Sequence, residues 1–179
     1  MDGLQELREL MLRVPPLTLA VAESVTCGHV QARVGGISGA SEFFLGGITA
    51  YTLEQKVRHL GVERAAAVAC GCVSAGVAAQ MARGAAALFG ADLGVATTGW
   101  AEKPVEAAAA ETGRTQGGVC PGQEPFAFWA VAQRGPHGAW QTRTGRVVCL
   151  AAARAAAQAM IADIALTELL AHVRATRGG

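Results

Sequence analysis

Residues 17–28, with the sequence LTLAVAESVTCG, decide the fold that we expect for this chain. The first half is a short apolar run rich in Leu and Val, which is typical of a buried strand. The second half consists of small and hydroxyl residues, from which a helical pattern begins. A strand that stops where a helix starts leaves several backbone N–H groups pointing at one spot, where an anion or a developing oxyanion is stabilised. The stretch therefore predicts a candidate active site at Ser24.

The apolar spacing predicts further helices and strands on either side. Helices are expected over residues 4–14, 27–34, 53–60, 74–89 and 149–173, and strands over 17–22, 46–52, 91–98, 126–133 and 139–148. The last two strands are expected to form a hairpin. Residues 100–125 lack periodicity, which is typical of a functional lid or a disordered segment. The pattern predicts one α/β domain over residues 1–179, with an irregular insertion at about 100–125.

The composition favours a small-molecule ligand. Of the 179 residues, 51% are hydrophobic and 16% are charged, and the formal net charge is +1. A protein that binds nucleic acid or an acidic membrane surface usually carries a basic patch, which such a balance does not suggest. We therefore expect neither nucleic acid nor a membrane as a partner.

The cysteines and histidines suggest no metal site. Five cysteines occur in no CxxC pairing, and no two of the four histidines have metal-ligand spacing. The N-terminus does not resemble a signal peptide, and charged residues or glycines interrupt every long apolar run. We expect reduced thiols, a cytoplasmic location, no metal and no cofactor.

Three blocks of this sequence resemble the C-terminal domain of the competence/damage-inducible CinA family. They are AESVTCG, against a family pattern AES-x-TGG, then GASEFFLGGITAYTLEQK, and then VSAGVAAQMARGAAALFGADLGVATTG. They occur in the family's order and spacing over residues 17–99, with weaker similarity up to the final helix. The resemblance implies a three-layer α/β/α sandwich. Stand-alone members of the family are nicotinamide-nucleotide amidases, which implies hydrolysis of nicotinamide mononucleotide to nicotinate mononucleotide and ammonia, and a homo-oligomeric protein.

The resemblance also implies which residues are catalytic. The family's serine nucleophile falls on Ser24, its tyrosine on Tyr51 and its lysine on Lys56. Amide hydrolysis through a serine needs a base, and a lysine serves only if burial or a neighbouring cation lowers its pKa. Tyr51 would orient that amine or relay a proton.

Further residues are candidates for binding the substrate. The N–H groups of Thr26, Cys27 and Gly28 would face the carbonyl oxygen as it gains charge. Glu23 would either cap the following helix or bind a ribose. A second strand-to-loop junction at Thr98 and Gly99 is expected at the same sheet edge.

The sequence departs from the family pattern at two places. Cys27 replaces the first glycine of TGG, which adds a Cβ at a position where we expect the backbone to need unusual dihedral angles. The family continues after Gly99 with IAGP, whereas this chain has Trp100-Ala101-Glu102, and Trp100 would either stack on a substrate ring or anchor the insertion. The family's arginine near the last helix falls on Arg143, Arg146 or Arg154; the register does not decide which.

Each catalytic assignment has a simpler alternative. Ser24 could be a helix cap, and Lys56 a solvated helix lysine. Two other functions also stay open. The domain could have lost turnover and serve as a nucleotide-binding or assembly module, or it could be an amidase with a different substrate.

Overall fold

The structure, a computed structural model, describes residues 3–102 and 124–177. Their helices are α1 (Gly3–Met11), α2 (His29–Gly35), α3 (Leu53–Leu60), α4 (Arg64–Ala69), α5 (Ala75–Phe89) and α6 (Arg154–Arg177). Their strands are β1 (Leu19–Glu23), β2 (Phe44–Thr49), β3 (Leu93–Trp100), β4 (Phe126–Arg134) and β5 (Trp140–Val148). The predicted α/β class is confirmed, and so is the predicted hairpin of the last two strands, β4 and β5.

The strands described form one sheet in the order β2-β1-β3-β4-β5. Strands β1, β2 and β3 are parallel, whereas β4 runs antiparallel to both β3 and β5. The carboxyl ends of the three parallel strands therefore share one edge of the sheet.

Helices cover both faces of the sheet, as expected for a three-layer α/β/α sandwich. Alternate residues of β1 face opposite ways: Leu19 and Val21 pack in the cluster that includes residues of α1, α2 and α6, whereas Ala20 and Ala22 pack in the cluster of α3, α4 and α5. Small alanines on the second face let α5 lie close to the strands. Burial of both faces explains why β1 reads as a continuous apolar run.

The chain crosses the sheet in opposite directions on either side of β1. The first crossover passes through α2 to β2, and the second passes through α3, α4 and α5 to β3 on the other side. In open α/β sheets, ligands bind in the crevice at the carboxyl ends of strands where the direction reverses. Ser24 follows β1 at this crevice.

Helix α6 is the core helix of the first face. It is long and apolar enough to cross a membrane by length and composition, but half of the relevant window is buried inside the domain. Ile161, Ala165 and Leu169 belong to its buried side. This burial accounts for the apolar composition of α6.

Several predicted boundaries were wrong. Helix α2 begins at His29, and α6 begins at Arg154. Helix α4 was not predicted, because its six residues are too few for a periodic pattern. Strand β3 continues through Trp100, because β4 pairs with it to that residue. Most of the predicted insertion, residues 103–123, lies outside the described residues.

Candidate active site

The side chains of Ser24 and Lys56 form a buried pair at the carboxyl edge of the parallel strands. The Nζ atom of Lys56 lies 2.9 Å from Oγ of Ser24. Lys56 is only 2% exposed and Ser24 is buried. The two predicted catalytic residues are therefore brought into direct contact, and Lys56 is not the solvated lysine of the alternative interpretation.

The remaining partners of Lys56 are backbone carbonyls. Its Nζ donates to the carbonyl oxygens of Ala50 and Tyr51, each at 2.9 Å. Within the described residues no carboxylate pairs with this amine. A charged lysine in such a place loses hydration without gaining a counter-ion, so burial lowers the pKa of Lys56 to about 8, an effect that nearby Cys72 partly opposes.

Tyr51 contacts the pair through its backbone, not through its phenol. Its carbonyl accepts from Lys56, whereas its hydroxyl, on a side chain that is 51% exposed, accepts a hydrogen bond from Nη2 of Arg154 at 2.8 Å. The orienting role proposed for Tyr51 has a structural basis in this carbonyl. The structure contains no contact between the phenol and Lys56 that would relay a proton.

Glu23 caps α2. Its buried carboxylate accepts hydrogen bonds from the N–H groups of Gly28 and Val30 through Oε2 and of Gln31 through Oε1. This settles the choice between capping and ribose binding in favour of capping, and it leaves no capping role for Ser24. The N–H of Gly28 is consequently not available for an oxyanion, contrary to the expectation from sequence.

The turn between β1 and α2 still offers backbone donors. Within the described part of the chain, the N–H groups of Val25, Thr26 and Cys27 donate to no acceptor. Cys27 has a φ of 48° and Gly28 a φ of 101°, so both occupy the left-handed region. The expectation that the family's glycine position needs unusual dihedral angles is confirmed, and Cys27 carries the steric cost.

Thr98 and Gly99 lie inside β3, not at its end. The Thr98 hydroxyl donates to the carbonyl of Cys72 at 2.8 Å. A side chain on Gly99 would collide with the backbone of Phe126 and Ala127, so packing against β4 explains this glycine. The second strand-to-loop junction predicted at these two residues was wrong.

Of the three candidate arginines, Arg154 contacts Tyr51, whose carbonyl accepts from Lys56. Arg143 lies 3.6 Å from Glu168, and the guanidinium of Arg146 covers the ring of Phe126. Arg154, the first residue of α6, donates to the Tyr51 hydroxyl and also, at 2.6 Å, to Oε1 of Glu102. Sequence analysis named Glu102 in the stretch that departs from the family pattern after Gly99 but gave it no role; that departure was the available signal.

Two grooves in the described part of the chain are separate from this site. A groove of about 300 Å³ is lined by α1, α6 and Arg33, and another of about 350 Å³ by residues such as Leu60 and Trp140. Neither groove includes Ser24 or Lys56. The chemistry of the buried pair therefore identifies the site.

The indole N–H of Trp100 meets no acceptor among the described residues. Neither role predicted for Trp100, stacking on a substrate ring or anchoring the insertion, is tested by this observation.

A three-layer α/β/α fold with a buried serine and lysine at its parallel strand ends defines the class of this protein. The family model of the CinA C-terminal domain matches residues 2–128. A CinA-like protein of Chlorobaculum tepidum is 38% identical over 152 residues, which cover 81% of this chain and 31% of that protein. A competence-damage inducible protein of Moorella thermoacetica is 46% identical over 111 residues, which cover 58% of this chain and 27% of that protein. The chain belongs to the CinA C-terminal domain family.

Solved structures agree with this fold. The competence damage-inducible protein A of Klebsiella pneumoniae superposes with a TM-score of 0.76 at 26% identity, covering 95% of this chain and 94% of that one. A CinA superfamily protein, also from Klebsiella pneumoniae, superposes with a TM-score of 0.78 at 21% identity, with 96% of both chains covered. In contrast, this chain spans about a third or less of the length of the two relatives above.

Proposed function

We propose that the domain is a serine amidase that uses Lys56 as its general base and hydrolyses the carboxamide of a pyridine nucleotide. The observation that carries the proposal is the 2.9 Å contact between Lys56 Nζ and Ser24 Oγ in a buried place, where the other hydrogen-bond acceptors of Lys56 among the described residues are carbonyl oxygens.

The partners of Lys56 determine the direction of proton transfer. When protonated, the amine donates to Ser24, Ala50 and Tyr51, which uses all three of its hydrogens. When neutral, it keeps two hydrogens for the two carbonyls, which can only accept. Its lone pair then faces the Ser24 hydroxyl and receives the serine proton as Oγ attacks the amide carbon.

The turn after Ser24 would stabilise the charge that develops on the amide oxygen. The N–H groups of Val25, Thr26 and Cys27 lie directly after the nucleophile and have no acceptor among the described residues. Fixed backbone donors of this kind cost no reorganisation during the reaction, and losing one typically costs about 2.7–4 kcal/mol.

The same lysine completes the cycle. As the tetrahedral intermediate collapses, the Lys56 ammonium protonates the leaving nitrogen, which departs as ammonia, and an ester with Ser24 remains. Neutral Lys56 then removes a proton from the attacking water. Breakdown of the second intermediate releases the carboxylate, and the proton returns to Ser24 Oγ.

The choice of substrate rests on the family resemblance. Stand-alone members hydrolyse nicotinamide mononucleotide, so we propose this nucleotide as the first compound to assay. Turnover of this nucleotide is expected to be weak, because the sequence departs from the family pattern after Gly99. Losing one or two polar substrate contacts there, at about 1.5–3 kcal/mol each, would weaken binding roughly ten- to ten-thousand-fold. We also propose a cytoplasmic location, which rests on the reduced thiols expected from the sequence.

Ammonia release tests the proposal. The purified protein is incubated with nicotinamide mononucleotide and a panel of other amides, alongside Ser24→Ala and a control, Ser74→Ala. Ser74 caps α5 through Val77 N–H at 3.1 Å, so its loss affects a helix end without touching the pair. We expect activity in the native protein and in Ser74→Ala, and none in Ser24→Ala. Ligand binding without any turnover would instead favour a nucleotide-binding or assembly module.

A further inference from the structure

The side chains of Tyr51, Glu102 and Arg154 form a hydrogen-bonded cluster, and the backbone of Tyr51 links it to Lys56. Nη1 of Arg154 donates to Oε1 of Glu102 at 2.6 Å, and Nη2 donates to the Tyr51 hydroxyl at 2.8 Å. The side chains of Arg154 and Glu102 are 44% and 61% exposed, so the pair lies at the surface and solvated groups can reach it. We refer to Tyr51, Glu102 and Arg154 as the rim cluster.

Three contacts connect the rim cluster, or residues near it in the chain, to Lys56 and to the turn after Ser24. The carbonyl of Tyr51 accepts from Lys56 Nζ at 2.9 Å. Gln158, one turn after Arg154 on α6, donates to the carbonyl of Val25 at 2.9 Å, and Val25 directly follows the nucleophile. Ala101, next to Glu102, is buried in the same apolar cluster as Val25. Arg154 and Glu102 are therefore each close in the chain to a residue that packs against the turn after the nucleophile.

The guanidinium of Arg154 is the natural partner for a negative group on a ligand. A guanidinium is always protonated and binds carboxylate or phosphate through paired N–H groups. Here Glu102 already supplies that negative group. An anionic ligand must displace the Glu102 carboxylate or approach it closely, and the resulting like-charge repulsion disfavours binding.

We propose that Glu102 disfavours a negative group at Arg154, so that phosphorylated amides such as pyridine nucleotides bind and react less well than they would without this carboxylate, whereas uncharged or cationic carboxamides such as pyridinium nucleosides are unaffected. This inference rests on the proposed amidase function and names the substrate class of that same site. It assigns Glu102 as a specificity-determining residue that acts through Arg154.

Two substrates that differ by one phosphate provide the test. Nicotinamide riboside and nicotinamide mononucleotide carry the same carboxamide and pyridinium, so the ratio of their kcat/KM values isolates the phosphate. Replacing Glu102 with Gln removes the charge and keeps the shape. Because exposed ion pairs are weak, we expect the ratio to shift toward the mononucleotide by about three- to fivefold at low ionic strength, and by less at high salt.

Two controls make the result specific. Glu54→Gln removes a carboxylate that pairs with Arg64 and is 64% exposed, on the helix that carries Lys56, and it should leave the ratio unchanged. In an Arg154→Gln background, Glu102→Gln should no longer shift the ratio toward the mononucleotide, because the guanidinium that would bind the phosphate is absent.

A binding measurement separates this inference from the amidase proposal. Dissociation constants of both compounds are measured by calorimetry in Ser24→Ala and in Ser24→Ala/Glu102→Gln. A selective gain for the mononucleotide on removing Glu102 supports the inference even if the native protein hydrolyses neither compound. An unchanged ratio in both kinetics and binding, or an equal shift in Glu54→Gln, overturns it while leaving the amidase proposal intact.

Discussion

Glu23 and Ser24 are neighbours in the chain, yet their side chains serve opposite faces of the sheet. The Glu23 carboxylate caps α2 on one face, and the Ser24 hydroxyl meets Lys56 of α3 on the other. The alternation of β1 produces this division, since successive side chains of a strand point to opposite faces. Glu23 thus stabilises the turn between β1 and α2, while the hydroxyl of Ser24 stays in contact with Lys56.

Removing the Glu23 carboxylate should destabilise the protein. Glu23→Ala leaves the N–H groups of Gly28, Val30 and Gln31 without their acceptor inside the domain. We expect the free energy of unfolding, measured with urea, to fall by about 2–3 kcal/mol. Glu63→Ala is the control, because Glu63 caps α4 in the same way from an exposed position and should cost less. Equal losses in the two variants would contradict the account.

The rate of amide hydrolysis should follow the protonation of Lys56. Lys56 can accept the serine proton only in its neutral form. Burial lowers the pKa of this amine to about 8, so the neutral form becomes abundant near that pH. We expect kcat/KM to rise from pH 6 and to level off above an inflection near pH 8. Tyr51→Phe should keep the inflection, since Lys56 contacts the Tyr51 carbonyl and not its phenol. An activity independent of pH between 6 and 9 would argue against Lys56 as the base.

The stability of the protein should also depend on Lys56 and pH. The pKa of Lys56 lies near 8 in the folded protein and near its ordinary 10.5 when unfolded, so the unfolded chain binds more protons between these values. Stability therefore rises with pH in this window, by at most about 3–4 kcal/mol at about 1.36 kcal/mol per pH unit. Below pH 8 the cost of the buried charge is fully present.

Comparison with Lys56→Met isolates this contribution. From pH 7.5 to 10.5 the free energy of unfolding of the native protein should rise relative to that of Lys56→Met. Arg58→Met, an exposed substitution on the same helix, should show no such change. A difference that stays flat for Lys56→Met would mean that the amine is not desolvated in solution.

The left-handed backbone at Cys27 should limit which residues fit there. A φ of 48° costs a non-glycine residue about 1 kcal/mol, and a β-branched residue more. Glycine removes this strain but gains freedom in the unfolded chain, so Cys27→Gly should change stability little, whereas Cys27→Val should destabilise by about 1–2 kcal/mol. Cys70→Val, at an ordinary φ of −113°, is the control. Equal effects of Val at both positions in thermal unfolding would contradict this.

Sequence alone predicted the fold and the central pair for identifiable reasons. The alternation of strands and helices is visible in apolar periodicity, and α3 was predicted with its observed bounds; in the structure Thr52 caps its start and Gly61 ends it. The strand-to-helix turn indicated the site at Ser24, whereas the pairing of Ser24 with Lys56 came from the ordered family motifs. Their contact then follows from the parallel arrangement of β1 and β2.

The surroundings of the pair could not be predicted because they depend on contacts distant in sequence. Whether Thr98 and Gly99 end a strand is decided by β4, which pairs with them across the sheet. The choice of Arg154 depends on where α6 begins, and its partner Glu102 lies 52 positions away in the chain. Local pattern carries no information on such pairings.

The central claim is that Ser24 and Lys56 act as one catalytic unit. Its most direct test is ammonia release from nicotinamide mononucleotide by Ser24→Ala, Lys56→Met and the double variant, each compared with the native protein. Residues that act as a unit are not additive, so we expect each single change to reduce kcat by about a thousandfold or more and the double change to cost no more than either. Turnover that survives Ser24→Ala, or losses that multiply in the double variant, would contradict the account.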